Sequence, residues 1–256
     1  MRAQFLEIEE HGRVAVVRIA RPEKKNALCL ALIQELTRTA QDLSSRADIG
    51  AVVLTGQGPF FSAGMDLTDS FIADFPRATL AEKRVLMSHA PRMCQAWENM
   101  GQITLAAIEG FCLGGGLSLA SSLDFRVMAQ SAYICAPEID WGMNMSWGTL
   151  PRLLHLVGPA RAKQIIVLAE KITAAQAYEW GWAQWVCPDG KALETAENIA
   201  QKAAGKPLAP VSMTKRTVNA LATAMDALAS HMDADQFLLS VMDSDFASKL
   251  SGFFNK

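Results

Sequence analysis

The stretch IEGFCLGGGLSLASSLDFRV, Ile108 to Val127, constrains this chain more than any other. It is apolar nearly throughout, yet it carries Gly114, Gly115 and Gly116 in succession, with Ser118 just behind them. Glycine has the most backbone freedom to lose on folding, so three of them inside a core segment destabilise it unless the cleared backbone is needed. The pattern reads as the end of a strand, a glycine loop and a helix through Ser122. The glycines therefore fall at a helix N-terminus, where N–H groups lack intrahelical partners and the dipole is positive. Such a loop either admits an acceptor atom to the backbone or lets helix and sheet pack closely, and glycine spacing alone favours the packing. A phosphate loop does not fit: no Lys-Ser or Lys-Thr follows the glycines, and no GxGxxG stands near the first strand.

The surrounding sequence alternates strand, loop and helix at α/β spacing. FLEIEEHGRVAVVRIA reads as two strands around His11-Gly12, and RPEKKNALCLALIQEL as a charged turn entering a helix at about Ala27. IGAVVLTG and ITLAAIEG are buried strands, DFRVMAQ and AYICAPE short ones, and a helix fits Leu80 to Met100. After Gly142 the pattern turns helical: GPARAKQIIVLAEKI and TAAQAYEWG are helices, WAQWVCP is a strand, and the rest is helix broken at Pro207 to Pro210. This gives a strand-bearing part over 1–195 and a helical region over 196–256. In the latter, Phe237, Leu238, Leu239, Val241, Met242, Phe246, Leu250, Phe253 and Phe254 either cover the chain's own core or a neighbouring subunit.

Half of the 256 residues are hydrophobic, enough to bury one sizeable core. The formal charge of −2 gives no electrostatic reason to expect nucleic acid or a membrane surface as partner. No apolar run approaches the ~18 residues of a membrane span. The start, MRAQFLEIEE, lacks the basic and apolar regions of a signal peptide. Cys29, Cys94, Cys112, Cys135 and Cys187 are odd in number and scattered, which reads as buried reduced thiols in a cytoplasmic protein.

Two glycine-containing loops follow strands, FFSAGMDL and GFCLGGGLSL. If the first brings an N–H opposite the second, the pair forms an oxyanion hole for a carbonyl oxygen that gains charge during reaction. Glu138, in APEIDWG, sits among apolar residues, where desolvation raises a carboxylate's pKa toward a range useful for proton transfer. Asp66 and Asp124 read as caps of loop or helix backbone. His11, His89, His155 and His231 share no ligand spacing, and no GxSxG elbow exists, so neither a metal site nor a Ser-His-Asp hydrolase is indicated.

Taken in order, RPEKKNALCLALIQEL, VVLTGQGPFFSAGMDL, AAIEGFCLGGGLSLASSLDFRV and APEIDWG resemble the crotonase (enoyl-CoA hydratase/isomerase) superfamily. The resemblance runs from about Phe5 to Lys256. It implies an α/β fold, a crotonase-like spiral of ββα units with a helical C-terminal trimerisation region, assembled as a homotrimer or a hexamer of paired trimers. It also implies acyl-CoA thioester substrates, with coenzyme A entering only as part of the substrate and no metal or redox cofactor. Carried over by position, the N–H groups of Met65 and Gly115 hold the thioester oxygen, beside Ala63, Gly64 and Gly114. Lys24, Lys25 and Ala27 flank the nucleotide end of CoA, Asp66 and Leu67 the pantetheine, and Trp141 the substrate. Phe237 and Lys256 are placed against the CoA of an adjacent subunit.

The departures bear on the reaction. Hydratases of the family carry two glutamates sharing a water; Glu138 matches the second, whereas the first falls on Ser118. A hydroxyl is too weak an acid or base to replace a carboxylate at pH 7, though it can orient a water. Enoyl-CoA hydration remains the leading expectation, with Δ3,Δ2-enoyl-CoA isomerisation or hydratase-lyase chemistry on one glutamate as the alternative, and a silent acyl-CoA-binding protein as the reading from another class. Met65, Ser118 and Glu138 resemble the single-glutamate hydroxycinnamoyl-CoA hydratase-lyases in particular. Those grip a phenol with tyrosines; here only Tyr133 and Tyr178 occur, and Ser70 or Phe71 stands where one would lie, which argues against a phenolic substrate. Met145, Ser146 and Trp147 stand where the family usually has a proline and a small glycine-rich turn, and Met143, Met145 and Trp147 either fill the acyl end of the pocket or simply pack.

Overall fold

A computed structural model describes residues 4–70, 72, 75–244, 246, 248 and 249. Phe71, Leu250, Phe253, Phe254 and Lys256, named above, lie outside the described residues. The hairpin β1 (Leu6–His11) and β2 (Val14–Ile19) starts a larger sheet. β3 (Ala51–Gly56), β4 (Ile103–Ile108), β6 (Phe125–Ala129) and β9 (Trp185–Cys187) follow in it, in the order β1-β2-β3-β4-β6-β9. Within this sheet, among the described residues, only the β1–β2 pair is antiparallel. A smaller sheet holds β5 (Phe111–Leu113), β7 (Tyr133–Cys135) and β8 (Ile172–Thr173).

The two sheets are one winding. β4 and β6 pair in the large sheet, while the strands after them, β5 and β7, pair in the small one. Isolated bridges continue the second ladder backward, Leu28 to Met65 and Ser62 to Cys112. Each turn thus lays one strand in each sheet, and loops that lie far apart in sequence stack side by side. Along the parallel strands alternate residues face opposite ways. Val52, Leu54, Ala106, Ile108 and Met128 bury against α1 (Leu30–Ser44) and α2 (Leu80–Glu98), which supply Leu32, Leu36, Met93 and Trp97. The other face, with Val53, Leu105, Ala107 and Val127, takes the small stripe Ala192, Ala196, Ala200 and Ala204 of α6 (Ala192–Ala204). Alanine every fourth residue lets that helix lie close on the sheet.

The remaining helices are α3 (Gly115–Ser121), α4 (Thr149–Val167), α5 (Ala174–Glu179), α7 (Leu208–Ala222), α8 (Asp226–Ser230) and α9 (Asp233–Val241). Boundaries differ from the sequence reading where tertiary contacts intervene. α1 begins at Leu30 rather than Ala27, because Lys25 and Asn26 are left-handed and Leu28 is spent on the bridge to Met65. α4 starts well before Gly158, where a non-helical residue followed by Pro159 kinks it. β5, read as part of the glycine loop, is only three residues long and forms through its partner β7. Pro210 lies within the first turn of α7, so the break falls at Gly205 to Pro207, and the 195/196 division falls inside α6. All five cysteines are free and buried, as the sequence suggested. No helix among the described residues is long and apolar enough to cross a membrane.

Candidate active site

Glu138 follows β7 in a short 3-10 turn, Pro137–Trp141, that turns the chain back over the glycine loop. Its carboxyl lies on the backbone of Gly114: a Cβ built there would stand 2.5 Å from Oε1. Gly114 also has φ +48°, so a side chain there is excluded on two counts. Oε2 is buried without a hydrogen-bond partner among the described residues. Burial pushes the pKa from the ordinary 4.5 up to about 7, with only a backbone hydrogen bond opposing. A group poised near neutrality both takes and returns a proton efficiently.

Two residues whose backbone N–H groups matter here, Met65 and Gly115, line the same cavity. The bridge at Met65 uses the flanking residues, Leu28 N–H donating to Gly64 O at 2.7 Å and Asp66 N–H to Leu28 O at 3.1 Å. Gly115 opens α3, where no intrahelical acceptor exists. Neither N–H has a hydrogen-bond partner among the described residues. The two loops touch, since a Cβ on Gly64 would lie 2.8 Å from Leu113 O and 3.2 Å from Gly115 N. Such a pair can hold one carbonyl oxygen between them.

Ser118, one turn into α3, is fully buried. Its Oγ lies 3.3 Å from Gly114 O and 2.6 Å from Thr149 Oγ1, and Thr149 Oγ1 lies 2.6 Å from Ser146 O. The Ser118 hydroxyl, at the position expected of the first glutamate, is thus tied into a chain of protein oxygens. Nothing in the sequence pattern marks Thr149 as its partner.

The structure brings the expected residues together around one cavity of about 420 Å³. Met65, Gly115, Ser118 and Glu138 line it, as do Lys24, Lys25, Ala27, Ala63, Gly64, Asp66, Leu67, Gly114 and Trp141. Asp66 is structural as anticipated, accepting from Thr68 N–H at 3.0 Å and from Arg21 Nη2 at 3.0 Å. Burial acts to raise its pKa, but the bonds from Thr68 and Arg21 outweigh it and hold the carboxyl below the usual range. Asp124 caps Thr104 and pairs with Lys215 at 2.7 Å, far from the chemistry.

Phe237, expected against the CoA of an adjacent subunit, lines its own chain's cavity. The cause is apolar packing, since α9 seats Phe237 and Leu238 against Met87 and Met143. Met143, Met145 and Trp147 line the cavity as well. Trp147 has φ +65°, a conformation costing a bulky residue about 1–3 kcal/mol. Arg152 supports that turn through the carbonyls of Trp147 and Gly148, a residue the sequence did not single out. The histidines play no part: His11 pairs with Glu197 and His155 with Asp226, and no metal-ligand cluster exists among the described residues.

Two loop N–H groups and one raised carboxylate on a strand-loop-helix spiral describe a site for polarising a carbonyl and moving a proton beside it. The chain belongs to the enoyl-CoA hydratase/isomerase family, whose sequence model matches residues 9–255. It is 32% identical to a short-chain-enoyl-CoA hydratase of Clostridium acetobutylicum over 213 residues, 83% of this chain and 80% of that one. A probable enoyl-CoA hydratase of Mycobacterium tuberculosis is 36% identical over 216 residues, covering 83% and 81%. Among solved structures, an enoyl-CoA hydratase/isomerase from Xanthobacter autotrophicus Py2 superimposes with a TM-score of 0.90 at 26% identity, covering 100% of this chain and 94% of that one.

Proposed function

We propose that the protein is an enoyl-CoA hydratase, adding water reversibly across the double bond of a 2-enoyl-CoA thioester. The observation that carries this is the carboxyl of Glu138, buried without a partner for Oε2 beside two unpaired N–H groups. The relatives' names support the same reaction. The thioester oxygen is held by the N–H groups of Met65 and Gly115. Glu138 takes a proton from water as the water oxygen bonds to C3, and the electrons of the double bond pass to the carbonyl oxygen as an enolate. The enolate collapses by taking that proton from Glu138 at C2, so one water is added and the carboxylate is restored. Enolate stabilisation in a dry site supplies the larger share of such a rate enhancement.

A second reading has its own support. Because the Ser118 hydroxyl is engaged by Thr149, Glu138 is the cavity's proton carrier without a committed partner. One carboxylate that removes a proton at C2 and returns it at C4 catalyses Δ3,Δ2 isomerisation with no water. Lys24 and Lys25 lie at the cavity edge, where they suit the phosphates of CoA. Assembly as a trimer, or a pair of trimers, has support in Met213, Leu221, Met225 and Leu228, apolar residues left exposed on α7, α8 and the turn between them. The buried thiols suit a cytoplasmic setting. Incubation with 2-enoyl- and 3-enoyl-CoA in deuterated water separates the readings. Hydration removes the enone absorbance of the 2-enoyl ester, isomerisation interconverts the two esters without water, and a silent binder does neither.

A further inference from the structure

Trp147 is a bulky residue in a backbone conformation suited to glycine, and fixed partners hold it there. Its φ is +65° and that of Gly148 is +67°. Arg152 donates from Nη1 to the carbonyl oxygens of Trp147 at 2.9 Å and Gly148 at 3.1 Å. The guanidinium is itself gripped by both oxygens of Glu98, at 2.9 and 2.8 Å. Gly148 N–H donates to Asp233 Oδ2 on α9 at 2.7 Å. So unfavourable a conformation persists only where its surroundings over-determine it.

What the turn achieves is the position of the indole. The six-membered ring lies so close to Gly115 that a Cβ built there would be 2.5 Å from both Cη2 and Cζ3. On the preceding residue, Gly114, the same construction meets Glu138 Oε1. Successive Cα atoms are about 3.8 Å apart. Carboxyl and indole each lie against one residue of the glycine pair, and both line the cavity. An acyl group whose carbonyl sits on the Gly115 N–H meets the indole within its first few carbons. Among the described residues an apolar chamber of about 50 Å³ shares Met65, Leu67 and Phe237 with the cavity. By the measure in which ~10–15 Å³ admits one water, that is room for a short stub of chain and no more.

We infer that Trp147 is the wall that ends the acyl site, and that the protein selects short apolar acyl groups over long ones. Given the acyl-CoA substrate proposed above, the indole is a specificity-determining residue, set by the Arg152–Glu98 and Asp233 contacts. Ordinary core packing of the same ring makes a different prediction, because removing it then lowers stability without altering chain-length preference.

The test is the affinity of saturated butyryl-, octanoyl- and dodecanoyl-CoA for the wild type, Trp147→Phe and Trp147→Ala, by titration calorimetry. Saturated esters undergo no hydration, so the measurement reads the site independently of the chemistry. A single methylene in an apolar pocket is worth about 10–200-fold in discrimination. The wild type is expected to favour butyryl- over octanoyl-CoA by at least tenfold, Trp147→Ala to shift that ratio at least tenfold toward octanoyl, and Trp147→Phe to shift it less. Equal wild-type affinity for all three esters, or parallel weakening of all three in Trp147→Ala, overturns the assignment. Should Trp147→Ala not fold, the wild-type and Phe series decides on the same criteria. Binding of no CoA ester by the folded wild type refutes the acyl-CoA reading itself, and the wall with it.

Discussion

Replacing Glu138 by Gln removes the proton carrier while keeping nearly the same shape, and it should move activity and stability in opposite directions. In the unfolded chain the carboxyl loses its proton near 4.5, and in the folded protein near 7. Below the unfolded value both states are protonated and the group costs nothing. As pH rises toward 7 the folded state keeps a proton that the unfolded state has released, so stability falls, and the full cost persists above 7. At about 1.4 kcal/mol per pH unit, the gap from 4.5 to about 7 amounts to about 3 kcal/mol. Glutamine does not titrate, so Glu138→Gln should gain on the wild type by about that much between pH 4 and pH 8.5. For a protein of this size that corresponds to a relative rise in Tm of roughly 6–12 °C. Any fixed cost of burying an amide cancels in the difference between the two pH values. Turnover should fall by about 10²–10⁴-fold. The assays are thermal melts of both proteins across that pH range, and kcat with a 2-enoyl-CoA. Parallel Tm curves, or near-full turnover by the variant, would refute the placement of this carboxyl as buried, unpaired and catalytic.

Other substitutions probe the rest of the site. Gly115→Val sets a side chain against the Trp147 ring and displaces the N–H at the helix start; kcat should drop at least the roughly 10²–10³-fold typical of losing an oxyanion donor. Normal kinetics in a folded Gly115→Val protein would leave the glycines to packing alone. Phe237→Ala opens the chain's own cavity, so it should change KM for acyl-CoA without dissociating any oligomer, as kinetics alongside light scattering will show; dissociation instead would return Phe237 to a subunit contact. Arg152→Ala strands Glu98 in a largely buried setting and should cost about 3–5 kcal/mol in urea unfolding. A change under 1 kcal/mol would mean that the pair does not hold the Trp147 turn.

The sequence made the winding legible because its parallel strands are β-branched runs separated by loops at even spacing, as at Ala51–Gly56 and Ile103–Ile108. Glu138 and the glycines were legible for a local reason, a lone acid and a flexible run where apolar residues otherwise prevail. What escaped depends on pairs far apart in the chain. Thr149 reaches Ser118 across 31 positions and Arg152 reaches Glu98 across 54, and neither spacing leaves a periodic trace. The left-handed backbone of Trp147 was equally hidden, because it is imposed by Arg152 and Asp233 rather than by any preference of tryptophan. An apolar helix does not say which surface it covers, so the packing of Phe237 on Met87 and Met143 shows only in three dimensions.

The central claim is that a thioester oxygen rests on the N–H groups of Met65 and Gly115 with Glu138 beside it. Isotope-edited infrared difference spectroscopy of crotonyl-CoA labelled with carbon-13 at the carbonyl, bound to Glu138→Gln, observes that oxygen directly. Two fixed donors in a dry site polarise the C=O bond. The carbonyl band should therefore move to lower frequency on binding and recover toward its free position in the Gly115→Val, Glu138→Gln double variant. A band unshifted from that of the free thioester, in a complex shown to be saturated, would contradict the account.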